Sequence, residues 1–329
     1  MKARFTLPVL LVLGFALAAC SRNLPTATNA STTAASDRIA ASEHARRSDA
    51  TVFTGAGDIT PSVNAFRNAL GTLNANLPGS RDSGRREINW DAVPAANTDT
   101  NDFPVDFFNQ PNPGRARGAV FSTPGTGFRV SDNNFTDLNP EFANEFQFFS
   151  PIRTFAPVGS NRMTQTFFVP GSNVPANSTG FGVVFSDVDR RGSASIRLFD
   201  AEGRSLGRYT APTSPGGLSF VGVVFPTSIV ARVEIKSGDA PVDSGAVDVG
   251  NRRHGDDDDD ADDDRDGRSA TLTTSSRDDD GHHGVRAHDL VIMDDFIYGE
   301  PIAATSVARG SIASGPVADS LKVGGSNAR

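Results

Sequence analysis

The sequence has few of the side chains on which most enzyme active sites depend. Its 329 residues include one cysteine, one tryptophan, two tyrosines and five histidines. A single cysteine excludes a disulfide within the chain. The histidines lie outside the segments expected to form the core: His44, His254, His282, His283 and His288. The sequence therefore indicates neither a Ser-His-Asp or Cys-His catalytic site nor a histidine-rich zinc site.

Positive charge is not concentrated in any part of the sequence. The net charge is −8, and residues 251–289 contribute −7 through thirteen Asp against six Arg, which leaves −1 for the rest. No basic face is indicated, so we expect no nucleic-acid partner. No glycine-rich phosphate loop stands between a strand and a helix either.

Glycoside hydrolysis needs only two carboxylates, so the lack of histidine does not exclude it. The carboxylates available for it near predicted strands are Glu87, Asp91, Asp187, Asp189, Asp294 and Asp295. Their spacing singles out no pair. We therefore expect no catalytic residues and a non-enzymatic protein, with a carboxylate-dependent glycoside hydrolase kept as an alternative.

The first twenty residues carry the clearest motif. Lys2 and Arg4 precede a short apolar run, residues 7–16, which is too short for a convincing membrane span and is typical of a secretory signal. Leu17-Ala18-Ala19-Cys20 then resembles a bacterial lipobox. The resemblance implies cleavage after residue 19, acylation of Cys20 and attachment to a membrane outside the cytoplasm. Ser21 favours placement at the outer membrane or cell surface.

Composition divides the remainder of the chain into four parts. Residues 20–57, rich in Ala, Ser, Thr and Asn, are expected to form a disordered tether. Residues 58–301 carry the periodic apolar segments of one β-sandwich domain, interrupted by a disordered Asp-rich insertion at 250–288. Residues 302–329 read as a disordered tail.

The domain begins with a helix and continues with strands. Thr60 is a candidate cap, Pro61 suits the first turn and Gly71 suits the end, so we predict a helix that covers the sandwich. Short apolar runs between Gly, Pro, Asn and Asp predict strands near 87–91, 117–122, 127–131, 146–156, 162–169, 180–187, 193–199, 205–210, 218–225, 229–236 and 289–298. The fold class is therefore all-β, an antiparallel jelly-roll-like β-sandwich with one N-terminal covering helix.

Two of these strands are apolar on both faces. Residues 181–185 and 220–225 do not alternate, which predicts central strands covered on both sides. Gly182 and Gly222 would allow a close approach there.

Acidic residues near strand ends indicate a calcium site. Asp187 and Asp189 are two apart at the end of an apolar strand, so both carboxylates face the same side about 7 Å apart. Asp294 and Asp295 interrupt another apolar strand, where a buried carboxylate needs a cation or donors. We assign these four residues to Ca²⁺, with a structural ion pair or a hydrogen-bonded aspartate as the alternative for the buried ones.

The insertion contains a second, weaker calcium motif. Asp262, Asp264 and Asp266 followed by Gly267 match the start of a calcium loop, but Thr273 stands where a bidentate Glu would close it. A solvated loop that attracts cations loosely is the alternative.

Four segments resemble an uncharacterised family of exported bacterial β-sandwich proteins, which in turn resembles the jelly-roll modules of surface proteins with PEP-CTERM-type sorting signals. The segments are 84–91, 181–189, 220–225 and 293–300. The resemblance covers about 58–301 and implies a β-sandwich that works outside the cytoplasm. It implies no activity and no ligand.

Three functions remain open at this point. The first is a cell-envelope lipoprotein that acts as a surface binding or adhesion module for a glycan or an envelope partner, with Trp90 as the candidate sugar platform. The second is a structural envelope protein without a small ligand. The third is the hydrolase considered above. Exposure of Trp90 in a groove would support the first, and its burial would count against glycan binding at that residue.

Overall fold

A computed structural model of the chain describes residues 49–250 and 287–304. Within these ranges the chain forms an antiparallel, jelly-roll-like β-sandwich with one α-helix, so the predicted fold class is confirmed. None of the helices in this part of the chain has the length and apolarity needed to cross a lipid bilayer.

The described strands are, in chain order, β1 (Thr51–Ala56), β2 (Arg85–Ile88), β3 (Ala119–Ser122), β4 (Gly127–Ser131), β5 (Thr154–Val158), β6 (Arg162–Phe167), β7 (Ala176–Asn177), β8 (Gly180–Val188), β9 (Ser195–Phe199), β10 (Ser205–Thr210), β11 (Ser214–Val224), β12 (Arg232–Lys236), β13 (Ile292–Gly299) and β14 (Ile302–Ala303). The α-helix, α1, is Thr60–Leu70, and short 3-10 helices span Ala95–Asn97, Phe107–Asn109 and Pro140–Asn144.

Two sheets form the layers of the sandwich. The larger sheet has the order β1-β11-β8-β13-β5-β4, and β2 also pairs with β13. The smaller sheet has the order β10-β9-β12-β6-β3, and β7 pairs separately with β14. All the strand pairs named here are antiparallel.

The main core lies between these sheets. In β12, Val233 and Ile235 are buried while Arg232, Glu234 and Lys236 are half-buried, as the alternation in the sequence predicts. Aromatic rings fill the centre of this layer. Trp90 stacks on Phe155 with the ring centroids 3.9 Å apart, and Phe296 meets the same indole edge-on.

Helix α1 covers the other face of the larger sheet. Phe66 projects from the helix onto β8 and β11, where Gly182 and Gly222 leave room for its ring. A Cβ atom at Gly182 would stand 2.7 Å from Phe66 Cε1, and one at Gly222 would stand 2.8 Å from Phe66 Cδ2. The absence of a side chain at both positions thus permits the helix to pack, as predicted for strands covered on both sides.

The start of α1 differs from the expectation. Thr60 is the first helical residue, not its cap, and its backbone N–H donates to Asp58 Oδ1 at 3.1 Å. The end of the helix is as predicted, because Gly71 follows it with φ of 98° and donates its N–H to Arg67 O.

The expected tether is too long at its C-terminal end. Within 20–57, residues 51–56 form β1, which pairs with the edge of β11. Phe53 packs against Phe66 with ring centroids 5.6 Å apart, and this contact supplies the apolar burial that the composition did not suggest. The disordered tail predicted over 302–329 is likewise too long at its N-terminal end, because β14 lies within it.

The strand predicted over 146–156 begins only at Thr154. Its first part is a loop because its backbone donors go to side chains: Gln147 N donates to Ser186 Oγ at 2.7 Å and Phe149 N to Asp294 Oδ2 at 2.6 Å. Phe142 and Phe146 pack with Ile292 in a separate small core that holds this loop against β13.

The Asp-rich insertion leaves and re-enters the sandwich at one place. Asp248 forms a parallel bridge with His288, so the two ends of the insertion lie side by side. Residues 251–286, which include Asp262, Asp264 and Asp266, lie outside the described residues, as does Cys20.

Candidate metal centre

Four separate segments meet beside the ends of the insertion and bring acidic side chains together. The residues are Glu145, Asp187, Asp189, Asp248 and Asp289, here called the acidic site. Glu145 ends the 3-10 helix Pro140–Asn144, Asp187 and Asp189 lie at the end of β8, and Asp248 and Asp289 stand on either side of the insertion. The site is therefore built by the tertiary fold and not by a local motif.

The backbone at Asp187 is turned so that its side chain can reach the site. Its φ of 66° lies in the left-handed region, which Asp tolerates better than most residues. The partner strand β11 has an irregular register between Ser214 and Leu218, and there Gly216 N donates to Asp187 Oδ1 at 2.6 Å. This bond fixes Oδ1 of the carboxylate and leaves Oδ2 without a hydrogen-bond donor.

The carboxylate oxygens are close enough to share an ion. One oxygen each from Glu145, Asp187 and Asp248 lie within 4.8 Å of one another, and the same holds for Asp189, Asp248 and Asp289. Oxygen ligands about 2.4 Å from one calcium ion lie at most about 4.8 Å apart. Asp248 belongs to both groups and joins them, so the acidic site could hold a metal ion.

Some of these carboxylates are held by backbone donors. Asp248 accepts from Gly250 N at 2.8 Å and from Leu290 N at 2.7 Å. Asp289 accepts from Arg190 N at 2.7 Å and from Asp189 N at 3.3 Å. These bonds orient the two carboxylates and still leave lone pairs for a cation.

Other oxygens at the site are buried without any donor. Asp187 Oδ2 and both carboxylate oxygens of Asp189 are inaccessible to water and accept no hydrogen bond from the described residues. The Asp187 residue is 1% exposed. A buried carboxylate without donors or a counter-charge costs several kcal/mol, so these atoms mark a place where a cation would be stabilising.

Burial and, after it, the neighbouring negative charges raise the pKa values of three carboxyl groups at the site. Burial, with Glu145, Asp189 and Asp248 nearby, raises the pKa of Asp187 to about 9. Burial and Glu145 raise the pKa of Asp248 to about 6. Burial and then Asp248 raise the pKa of Asp189. Without a cation Asp187 therefore retains its proton near neutral pH, and a bound cation would displace that proton.

Asp294 and Asp295 lie apart from the acidic site, and the grouping of four aspartates is corrected accordingly. Asp294 Oδ2 accepts from Phe149 N at 2.6 Å and from Ser150 N at 3.2 Å. Ser150 Oγ lies 2.8 Å from Asp295 Oδ1, and Arg67 forms an ion pair with Asp295 at 3.2 Å. Donors from the protein satisfy both carboxylates, which is the alternative that the sequence left open.

The prediction that Trp90 binds a ligand is also corrected. It is 1% exposed, and its indole N–H donates to Asp294 O at 2.7 Å inside the core. A side chain that is enclosed in this way cannot form a platform for a sugar.

Sequence reasoning missed Glu145, Asp248 and Asp289 as members of the acidic site. Two of them could have been found from their position in the sequence, since Asp248 and Asp289 flank a segment without apolar periodicity. No local signal marked Glu145, which follows a Phe-containing stretch and contacts the others only through the fold.

Comparisons with known proteins add little to this description. No family model matches the chain, and no curated protein matches it. Among solved structures, the enzymatically active domain of tailspike protein 4 from bacteriophage CBA120 matches at 19% identity over 36% of this chain. The match spans 18% of that tailspike chain with a TM-score of 0.15, a level of similarity that supports no conclusion about fold or function.

Proposed function

We propose that the acidic site binds calcium, and that the chain is an exported, lipid-anchored β-sandwich that serves as a non-catalytic binding module at the cell surface. The observation that carries the proposal is that Asp187 and Asp189 have buried carboxylate oxygens without donors, while Asp187 is grouped with Glu145 and Asp248, and Asp189 with Asp248 and Asp289. These oxygens have the chemistry and the spacing of a calcium shell.

The ligand set favours calcium over other common cations. All five side chains offer carboxylate oxygen, and the groups contain neither His nor Cys, the ligands that zinc and copper prefer. Magnesium requires a near-ideal octahedron with short bonds and usually keeps several waters. Oxygens buried from water on Asp187 and Asp189 suit the larger and more flexible calcium shell better.

A cation here would act on the architecture and not on a substrate. It would join the end of β8 to both ends of the insertion, since Asp248 precedes the insertion and Asp289 follows it. The 1% exposure of Asp187 leaves no room for a polymer at that carboxylate, which supports a stabilising role over a hydrolytic one. The export and anchoring part of the proposal rests on the Leu17-to-Cys20 motif.

Thermal unfolding with and without calcium tests the cation proposal. The protein is the full chain carrying Cys20→Ser, so that it stays unacylated. Calcium at about a hundred times its Kd should add about 2.7 kcal/mol to the free energy of unfolding. That gain corresponds to a rise in Tm of about 5–10 °C for a domain of this size.

Two variants separate a calcium site from a general effect of ions. Asp187→Asn should abolish the calcium-dependent rise in Tm and should leave the calcium-free protein at least as stable, because an Asn at this buried position does not have to take up a proton when the chain folds near neutral pH. Asp294→Asn is the matched control, a buried aspartate outside the acidic site, and should keep the rise. Equal melting temperatures in calcium and in chelator, or loss of the response in the control alone, would refute the assignment.

Mass spectrometry of the native protein tests the anchor. We expect a chain that begins at an acylated Cys20, and an unmodified, uncleaved leader would contradict this part of the proposal.

A further inference from the structure

Basic side chains gather on the outer face of the smaller sheet, although the sequence indicates no basic face. They line a shallow cavity of about 260 Å³ and come from four adjacent strands: Arg208 from β10, Arg197 from β9, Lys236 from β12 and Arg162 from β6. The three arginines are exposed and the lysine is half-buried. We call these four residues the basic face.

The strand register places like charges directly opposite each other. Arg208 is paired with Arg197 between β10 and β9, and Lys236 is paired with Arg162 between β12 and β6. Side chains at such positions lie about 5 Å apart on one face of the sheet, and like charges there destabilise the pairing. The basic face therefore destabilises the fold, and its residues are not members of structural ion pairs.

No acidic residue in the described part of the chain forms an ion pair with the four cations. Glu234 lies among them, opposite Arg197, but its carboxylate is 2.6 Å from Arg232. Asp239, just beyond the end of β12, is 2.7 Å from Arg190. Burial and then the nearby Arg162 lower the pKa of Lys236, although Asp239 acts in the opposite direction. Within the described part of the chain, the four cations of the basic face therefore outnumber the acidic side chains beside them, and none of the four forms an ion pair.

The surroundings of the cations indicate what kind of anion fits. Thr164 and Ser195 line the same cavity and offer hydroxyl groups, and Arg208 Nη2 lies 3.1 Å from Ser195 Oγ. The large exposed apolar residues of the described chain all lie elsewhere, whereas membrane-surface sites usually combine basic with apolar side chains. Phe199, an aromatic ring on this face, is buried beneath the guanidinium groups of Arg232 and Arg197 and cannot stack on a base.

We propose that the basic face binds an acidic polysaccharide, a chain of sugars that carry carboxylate or sulfate groups. The inference rests on the proposed function of the domain as a surface binding module and names its ligand class. Arginine forks bind planar carboxylates and sulfates with paired hydrogen bonds, and the hydroxyls of the cavity suit the hydroxyls of sugars. The cations on four neighbouring strands extend over about 14 Å, which matches a linear polymer with repeated charges better than a single small anion.

The test measures binding of the full Cys20→Ser chain to immobilised heparin fragments and to oligogalacturonate, with neutral dextran as the blank ligand. We expect binding to at least one acidic polymer and none to dextran, with an affinity that falls as salt rises, since counterions compete for the same charges. Arg208→Glu and Lys236→Glu should each weaken binding about tenfold or more. Arg81→Glu is the matched control, because Arg81 is exposed outside the basic face, and should change the affinity less than about twofold.

Vesicles that contain anionic lipid are tested alongside the polymers. Three results would overturn the inference: no binding to either acidic polymer, an equal loss in the Arg81→Glu control, or binding to the vesicles only. The calcium-dependent rise in Tm, measured on the same variants, separates this inference from the cation proposal. Arg208→Glu should keep that rise. If the rise is present and polymer binding is absent, the basic-face inference fails and the calcium site stands.

Discussion

Replacing Glu300 by Gln should destabilise the domain strongly, because Glu300 neutralises an arginine that water cannot reach. The side chains of Arg86 and Glu300 are both 0% exposed. Arg86 Nε lies 2.6 Å from Glu300 Oε2, and Arg86 Nη2 lies 2.7 Å from Oε1. Glu300 follows β13 directly, so this ion pair ties β13 to β2.

The magnitude follows from the groups that surround the carboxylate. In the described part of the chain, the groups that hydrogen-bond the Glu300 carboxylate are all donors, since Asn74 Nδ2 at 2.9 Å and Arg81 N at 3.0 Å join the two bonds from Arg86. A glutamine keeps one acceptor oxygen, and its NH₂ group must then face donors. Arg86 would also stay charged and buried without a counter-ion. Breaking a buried pair in this way typically costs about 3–5 kcal/mol.

Urea unfolding measures this cost from the shift in midpoint at an unchanged slope. Glu202→Gln is the matched control: Glu202 pairs with Arg204 at 2.6 Å, but its side chain is 57% exposed. We expect the control to lose less than about 1 kcal/mol. A loss below about 1 kcal/mol for Glu300→Gln as well would refute the argument that Arg86 depends on this carboxylate.

Two further predictions concern the centre of the larger sheet. Burial and the neighbouring Asp295 raise the pKa of Asp294 well above its ordinary value, and burial raises that of Asp295 to about 6. Raised folded-state pKa values stabilise the fold fully below about pH 4, and this stabilisation is lost as the pH rises through the folded-state pKa of each group, which for Asp295 is about 6. Asp294→Asn should therefore lose less unfolding free energy between about pH 4 and pH 7 than the wild type, and equal losses in urea titrations would contradict this. Gly182→Ala should cost about 1–3 kcal/mol by overpacking against Phe66, and Phe66→Leu should recover part of it; no cost in thermal unfolding would contradict the packing described.

Local pattern was sufficient for strands whose environment is simple. The alternation in β12 and the unbroken apolar run in β8 each reflect burial on one or both faces, so both could be read from the sequence. β1 could not, because its pairing with β11 and the packing of Phe53 on Phe66 are long-range contacts. The residues before β5 have the apolar pattern of a strand, but their aromatic side chains point to different surroundings: Phe146 lies in a small separate core, Phe149 packs beside helix α1, and Phe148 is exposed.

The acidic site shows the same division between local and long-range information. Asp187 and Asp189 attract attention because two-residue spacing after a strand is a local feature. Glu145, Asp248 and Asp289 come from segments that only the folded sandwich brings together. Asp294 is also a buried aspartate, but backbone donors from Phe149 and Ser150 satisfy it, and its own segment of the sequence does not reveal those donors.

A crystal structure of the full Cys20→Ser chain grown with calcium tests the central claim most directly. The account predicts anomalous density within about 2.3–2.6 Å of carboxylate oxygens from Asp187 and Asp189, the residues whose oxygens lack donors. Glu145 or Asp248 should complete the shell. Density only elsewhere on the molecule, or none at millimolar calcium, would contradict it.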